Sequence, residues 1–225
     1  MISLPKNKKI LFFASHPDDD VISSGALLYQ LTKNGNQIIS IFITLSPKGV
    51  NRNISFEEKI ALRKNETKQA CQIIVAKPIF LDLDKPVFEI NQENKEIIIN
   101  LLKNERPDII FLPPEYDAHS THQKVNKLIT QTIKQISLEE IWYYETWTPL
   151  LKPNFIFFFD DELMEIKKTA IAKHKSQIER LDFIKAAVGL NSFRAAIGQE
   201  LLGDFGSKYY NNQKYGEAFF IEKYE

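Results

Sequence analysis

The 225-residue sequence has one cysteine, eight glycines and no excess of either charge, with 29 lysines and arginines against 29 aspartates and glutamates. Each shortage excludes something. A single thiol, Cys71, cannot close an internal disulfide, which points to a reducing compartment. A formal net charge of zero supplies no field to gather nucleic acid or an anionic membrane surface. No stretch approaches the ~20 apolar residues of a membrane span; even Phe155 to Phe159 stops at Asp160 and Asp161. The apolar run Ile10 to Ala14 is shorter than the roughly 7 to 15 residues of a secretion-signal core and reads as a strand. The expectation is therefore a soluble, cytoplasmic protein with no nucleic-acid partner and no membrane span. Assembly into a homo-oligomer is compatible with this composition.

What is present is enough apolar material, 44% of residues, for one domain spanning 1–225. Apolar β-type runs alternate with helical periodicity, the pattern of βα units around a mostly parallel sheet flanked by helices, a Rossmann-like α/β fold. The spacing predicts strands at Ile10 to Ala14, Gln37 to Leu45, Pro78 to Leu83, Asp108 to Leu112 and Glu140 to Tyr144. Predicted helices cover Val21 to Lys33 before the stop at Gly35, Glu57 to Ile74, and 92–104, closed by Arg106 and Pro107. The clearest helix begins near Thr121, with Val125, Leu128, Ile129, Thr132, Ile133 and Ile136 on one face. Beyond Pro149 the pattern predicts a strand at Phe155 to Phe159 and one long helix over 161–188. Gly198, Gly203, Gly206 and Gly216 then suggest a loop-rich extension covering a sheet edge.

The chemistry concentrates in two strand-to-helix turns. Ser15, His16, Pro17, Asp18, Asp19 and Asp20 follow the first strand, at the carboxyl end where open α/β sheets bind ligands. Three consecutive carboxylates repel one another unless a cation or a helix N-terminus compensates them. Asp117, His119 and His122 occupy the same position after the strand ending at Pro113 and Pro114. Converging turns would bring His16, Asp19 and His122 together. Two imidazoles and a carboxylate suit zinc, and three protein ligands leave a fourth position for water, the mark of a catalytic site.

These turns resemble those of a known family. His16 to Asp20 is similar to the A-H-P-D-D-E motif of the LmbE-like, or PIG-L, deacetylases, and His119 to His122 resembles that family's H-P-D-H. The resemblance implies that His16, Asp19 and His122 bind one zinc ion per chain. It also implies that Asp18 is the general base and that His119 polarises the carbonyl or the oxyanion. Arg63 and Glu66 look like the family's R-x-x-E, which makes Arg63 a candidate substrate anchor. Lys173 to Gln177, and Tyr215 with Glu217, resemble later family segments. The implied reaction is removal of an acetyl group from the amide nitrogen of an N-acetylglucosamine-type sugar conjugate, through zinc-activated water. Ser120 and Thr121 replace the motif's Pro-Asp, Asp20 replaces a glutamate, and Ser46, Pro47, Lys48 and Gly49 stand where an acidic, glycine-containing stretch is usual.

Plainer readings stand beside these. Asp18 and Asp20 could cap a helix, and Asp20 is expected to do only that. Arg63 could pair with Glu66 one helical turn away, and Asp117 could orient a histidine or simply form a turn. His174, among lysines, reads as solvated, while Trp142 and Trp147 read as core or pocket wall. Two rival functions remain at this level. One is a glycosyltransferase using Asp18 and Asp20 as a D-x-D manganese site; the other is a metal-dependent sugar-binding protein without turnover.

Overall fold

The computed structural model describes residues 3–84, 87–203 and 213–224. Gly206 therefore lies outside the described residues. Among these residues the strands form a seven-stranded sheet in the order β3-β2-β1-β4-β5-β7-β6. They are β1 Lys9–Ala14, β2 Gln37–Phe42, β3 Lys77–Phe80, β4 Ile109–Leu112, β5 Glu140–Tyr144, β6 Phe155–Phe159 and β7 Tyr215–Lys223. The first five are parallel, and β7 runs antiparallel between β5 and β6. The mostly parallel α/β architecture read from the alternation is the one observed.

Parallel strands are covered on both faces, so they read as nearly continuous apolar runs. In β1 the period of two sends Ile10, Phe12 and Ala14 to one face and Leu11 and Phe13 to the other, all with no exposed surface. The first face packs on α1 (Asp19–Lys33) and α2 (Phe56–Ile74) through Leu27, Leu28, Leu31, Ala70, Cys71 and Ile74. The second packs on α3 (Gln92–Glu105) and α4 (Ser120–Thr132) through Ile98, Leu102, Val125, Leu128 and Ile129. Local signals set the ends. Ser55 and Glu58 form a reciprocal capping box on α2, and Gly35 takes φ +81 after α1, as a helix stop requires.

Two parts of the C-terminal third differ from expectation. The helix expected over 161–188 is three: α5 (Asp161–Ile171), α6 (Lys175–Ile178) and α7 (Phe183–Leu202). The breaks have physical causes. Ser176 donates its N–H and hydroxyl to the buried Glu66 carboxylate at 2.8 and 2.7 Å, and Asp182 caps α7 by accepting from Lys185 N–H at 2.9 Å. Where a loop-rich edge was expected, the described residues include the twenty-residue α7 and the interior strand β7. Helix α7 lies close on β6: a Cβ at Gly198 would meet Ile156 and Phe158 side chains at 2.8 Å.

Helix α1 is itself broken at Ser24, which has φ −133 and ψ 15. A buried carboxylate repairs the break. Glu217 of β7 accepts from Ala26 and Leu27 N–H at 3.0 and 2.8 Å, and Lys167 of α5 joins Glu217 at 2.6 Å and the freed Ser23 carbonyl at 3.3 Å. This knot ties the C-terminal strand to the helix that starts at Asp19. Among the described residues, no helix is long and apolar enough to cross a membrane.

Candidate metal centre

Strand β1 has β2 on one side and β4 on the other, so the chain winds away in opposite directions from the β1/β4 boundary. Such a switch point opens a crevice at the carboxyl ends of the strands. His16 enters it two residues beyond β1; His119 and His122 enter it from the turn after β4. The first turn is held by its own hydrogen bonds, with Asp18 N–H donating to His16 O at 2.9 Å and His16 N–H to the Asp19 carboxylate Oδ2 at 2.8 Å.

The structure brings His16, Asp19 and His122 together across 106 residues of sequence. His16 Nδ1 lies 3.2 Å from His122 Nε2, and Asp19 Oδ2 lies 3.3 Å from His122 Nε2 and 3.6 Å from His16 Nδ1. His119 stands at the edge of this triangle, its ring centroid 4.6 Å from His16 and 5.1 Å from His122. Ligand atoms of His16, His119 and His122 also lie within 4.8 Å of one another, so two overlapping donor sets share the site. A tetrahedral zinc ion with bonds of about 2.0 to 2.1 Å needs donors roughly 3.3 to 3.4 Å apart. The His16–Asp19–His122 triangle has those edges to within about 0.2 Å.

Burial and charge bear on the same atoms. Burial alone would push the Asp19 carboxyl up, but the charge and hydrogen bond of His122, with those of His16, hold it well below the carboxylate range. Burial opposes charging His122, yet Asp19 on one side and Asp117 on the other raise it to about 10. His119 is lowered, first by burial and then by the two neighbouring imidazoles. Its Nδ1 accepts from Thr121 N–H at 3.2 Å, capping α4. Asp117 forms the turn, its Oδ1 accepting from His119 N–H at 2.8 Å, and its Oδ2 lies 3.5 Å from His122 Nδ1 without a hydrogen bond between them.

The remaining candidates separate. Asp18 and Arg63 are both buried and meet at 3.4 Å, while Glu66 is taken by Ser176, so Arg63 turns to Asp18 and away from its helical neighbour. Asp18 occupies the α1 N-cap position but makes no capping bond with its side chain. Asp20 was expected to cap α1, but it lies inside the first turn, one residue past the helix start. It accepts from Val21 N–H at 2.9 Å, packs against the Cys71 thiol at 3.8 Å and, by burial, is pushed up to about 7. The Cys71 thiol is itself raised far out of the reactive range, again by burial.

His174 is a correction. It is 1% exposed, not solvated; burial lowers it to about 4, and neither ring nitrogen has a hydrogen-bond partner among the described residues. The charges acting on it include Asp18 and Arg63. Neighbouring lysines gave the wrong impression, because α6 turns His174 inward while Lys175 stays outside. Trp142 is core, as expected, whereas Trp147 is 40% exposed, lines the cleft and lies 5.9 Å from the His119 ring. The cleft holds about 730 Å³, within the range of ligand sites. Its Lys48, Lys124, Arg180 and Asp84 carried no functional signal in the sequence, because they come from four separate segments.

Comparison with known proteins adds the family. The chain is 26% identical to the diacetylchitobiose deacetylase of Thermococcus kodakarensis over 192 residues, covering 76% of this chain and 70% of the relative. The solved N,N'-diacetylchitobiose deacetylase of Pyrococcus horikoshii superposes with a TM-score of 0.76 at 24% identity, covering 96% of this chain and 84% of that one. The 4-carboxy-2-hydroxymuconate hydratase GalB of Pseudomonas putida superposes with a TM-score of 0.79 at 12% identity, covering 95% of each chain. These superpositions show a shared fold, and their differing activities mean that the fold alone does not select the reaction. The family model described as GlcNAc-PI de-N-acetylase matches residues 11–133, more than half of the sequence and both histidine turns, and the chain belongs to that PIG-L family.

Proposed function

We propose that the protein is a zinc-dependent hydrolase that removes the acetyl group from the amide nitrogen of an N-acetylglucosamine-type sugar conjugate. The observation that carries this reading is the three-cornered convergence of His16 Nδ1, Asp19 Oδ2 and His122 Nε2 at 3.2 to 3.6 Å. Three electron-pair donors packed this closely require a proton or a cation among them.

Two contacts favour one of the overlapping donor sets. His122 Nδ1 lies 3.5 Å from the Asp117 carboxylate, whose charge favours a proton on that nitrogen and leaves the Nε2 lone pair for the centre. His119 has the opposite arrangement: Nδ1 accepts from a backbone N–H, so the neutral ring carries its proton on Nε2 and cannot ligate through it. His16, Asp19 and His122 would hold the metal, and His119 would donate a hydrogen bond. A bound zinc ion supplies a water acidified towards about pH 7 and a positive charge for the carbonyl oxygen.

The chain's own groups do the rest. Asp18 accepts the proton of the attacking water and returns it to the departing nitrogen. Arg63 fixes the Asp18 carboxylate in the cleft wall from 3.4 Å. His119 Nε2–H stabilises the developing oxyanion, and Trp147 beside it offers an apolar face to the sugar ring. The products are a free amine and acetate.

The D-x-D glycosyltransferase reading needs Asp18 and Asp20 side by side in the cleft. Asp20 is instead 1% exposed against Cys71. A non-catalytic binding protein has no need of a carboxylate such as Asp18 lining the same cleft as the three donors. The test is release of acetate and free amine from N-acetylglucosamine conjugates by zinc-loaded protein. Asp18→Ala is expected to keep zinc and lose nearly all hydrolysis, and His122→Ala to lose both. Full activity in Asp18→Ala would remove the proposed base.

A further inference from the structure

Trp147 stands 5.9 Å from the His119 ring on a segment, residues 145–150, that follows β5. It is 40% exposed, but the neck of the segment behind it is closed by a buried ion pair. Arg194 of α7 donates from Nε to Glu145 Oε1 at 3.0 Å and from Nη2 to Glu145 Oε2 at 2.6 Å. The same Nη2 donates to Leu150 O at 2.8 Å, and Leu150 N–H donates to Glu145 Oε2 at 2.9 Å. Both ends of the segment are thereby tied to each other and to α7.

Helix α7 is a fixed base for this grip. Asn191 donates to Gly216 O of β7 at 2.8 Å and accepts from the buried Lys167 at 2.9 Å. The helix sits so close to β7 that a Cβ at Gly216 would meet Ala195 N at 3.4 Å. From the first turn of the same helix, Phe183 meets the Trp147 ring edge-on at 5.9 Å. One further bond carries the segment to the metal centre: Ala118 N–H, next to His119, donates to Thr148 Oγ1 at 2.7 Å. Helix α7 thus holds the segment at its neck and at Trp147, and the segment holds the turn that presents His119.

Resting on the deacetylase reading above, we infer that Glu145 and Arg194 are positioning residues: they hold Trp147 beside His119 and, through Thr148, fix the turn that aims His119 at the reacting carbonyl. Neither lines the cleft. Buried ion pairs add little net stability over apolar groups of the same volume. What this pair supplies is direction, because a two-pronged guanidinium–carboxylate contact sets the neck in one orientation. The effect on chemistry is indirect but large, since a displacement of about 1 Å at a catalytic group can cost about a hundredfold in rate.

The chain has two tryptophans, and Trp142 is fully buried, so in a Trp142→Phe background the emission of Trp147 reports this segment alone. The experiment uses zinc-loaded full chain of that background, with the methyl glycosides of N-acetylglucosamine as substrates. Glu145→Gln/Arg194→Met removes the link to α7 without leaving a buried charge unpaired. The expected result is native circular dichroism and zinc content, acrylamide quenching of Trp147 raised at least about twofold, and kcat lowered about ten- to a hundredfold. Should the double variant fail to fold, Arg194→Lys carries the same test, since it keeps the charge and loses the fork. Thr148→Val keeps the neck and loses only the hydroxyl that accepts from Ala118; it should lower kcat about tenfold with KM and quenching within about twofold. An unchanged kcat there overturns the route to His119. A folded neck variant with quenching and kcat both within about twofold of the background, or with one changed and not the other, overturns the inference and leaves the deacetylase reading intact. If the background itself releases no amine, that reading fails, and the quenching alone decides whether the pair holds Trp147.

Discussion

Replacing Asp117 by asparagine isolates the contribution of a residue that touches neither metal nor substrate. In the native chain one carboxylate oxygen accepts from His119 N–H at 2.8 Å and the other faces His122 Nδ1 at 3.5 Å, with both side chains fully buried. An amide of the same shape has one acceptor for these two donors. Whichever way it is oriented, an NH2 group confronts an N–H. If it keeps the shorter bond to His119, His122 loses its acceptor at Nδ1. The imidazole proton then shifts towards Nε2, the atom 3.2 Å from His16 and 3.3 Å from Asp19. Loss of such an outer partner typically weakens metal binding by about 10- to 100-fold, or ~1.4 to 2.7 kcal/mol. Competition against a chromophoric zinc chelator at fixed pH measures this, with circular dichroism confirming the fold. A zinc Kd within about twofold of wild type, alongside abolished binding in His122→Ala, would refute the orienting role and leave Asp117 as a turn former.

Three further outcomes follow from the same geometry. His119→Ala should retain zinc and lower kcat by about a hundredfold or more, read from metal content and acetate release; loss of the metal would assign His119 to the donor set. Metal-free His122 is raised to about 10, so at neutral pH its Nε2 holds a proton that zinc must displace. Zinc affinity should therefore weaken as pH falls from 9 to 6, with release of about one proton near pH 7 by calorimetry in buffers of different ionisation enthalpy; a pH-independent Kd would contradict this. Glu217→Gln should destabilise the fold by about 3 to 5 kcal/mol in urea unfolding, because it leaves Lys167 charged and unpaired in the break of α1; a loss under about 1 kcal/mol would remove the knot's structural role.

The parallel half of the fold was legible because its strands are continuous apolar runs and its helices carry local stop signals such as Gly35, Ser55 with Glu58, and Pro107. The C-terminal third was less so. Strand β7 is completed by pairings with β5 and β6 from distant sequence, and the breaks around α6 answer to Glu66, about 110 residues earlier. Of the site, the histidine turns were readable from residue type and position after a strand. The Arg63–Asp18 contact and the burial of His174 were not, since each depends on segments that meet only in three dimensions. The periodicity that predicts a helix face says nothing of which distant acid a cation will meet. The departures at Ser46 to Gly49 were visible as departures, but the packing of that turn against α6, through Gln177 on Gly49 O, was not.

Which atoms meet the metal is tested most directly by a crystal of zinc-loaded protein measured across the zinc absorption edge. The expected result is one anomalous peak per chain, about 2.0 to 2.2 Å from His16 Nδ1, Asp19 Oδ2 and His122 Nε2, with His119 Nε2 beyond bonding distance and the fourth position facing the cleft. A peak bonded to His119 in place of Asp19, or no peak between the two histidine turns, would contradict it.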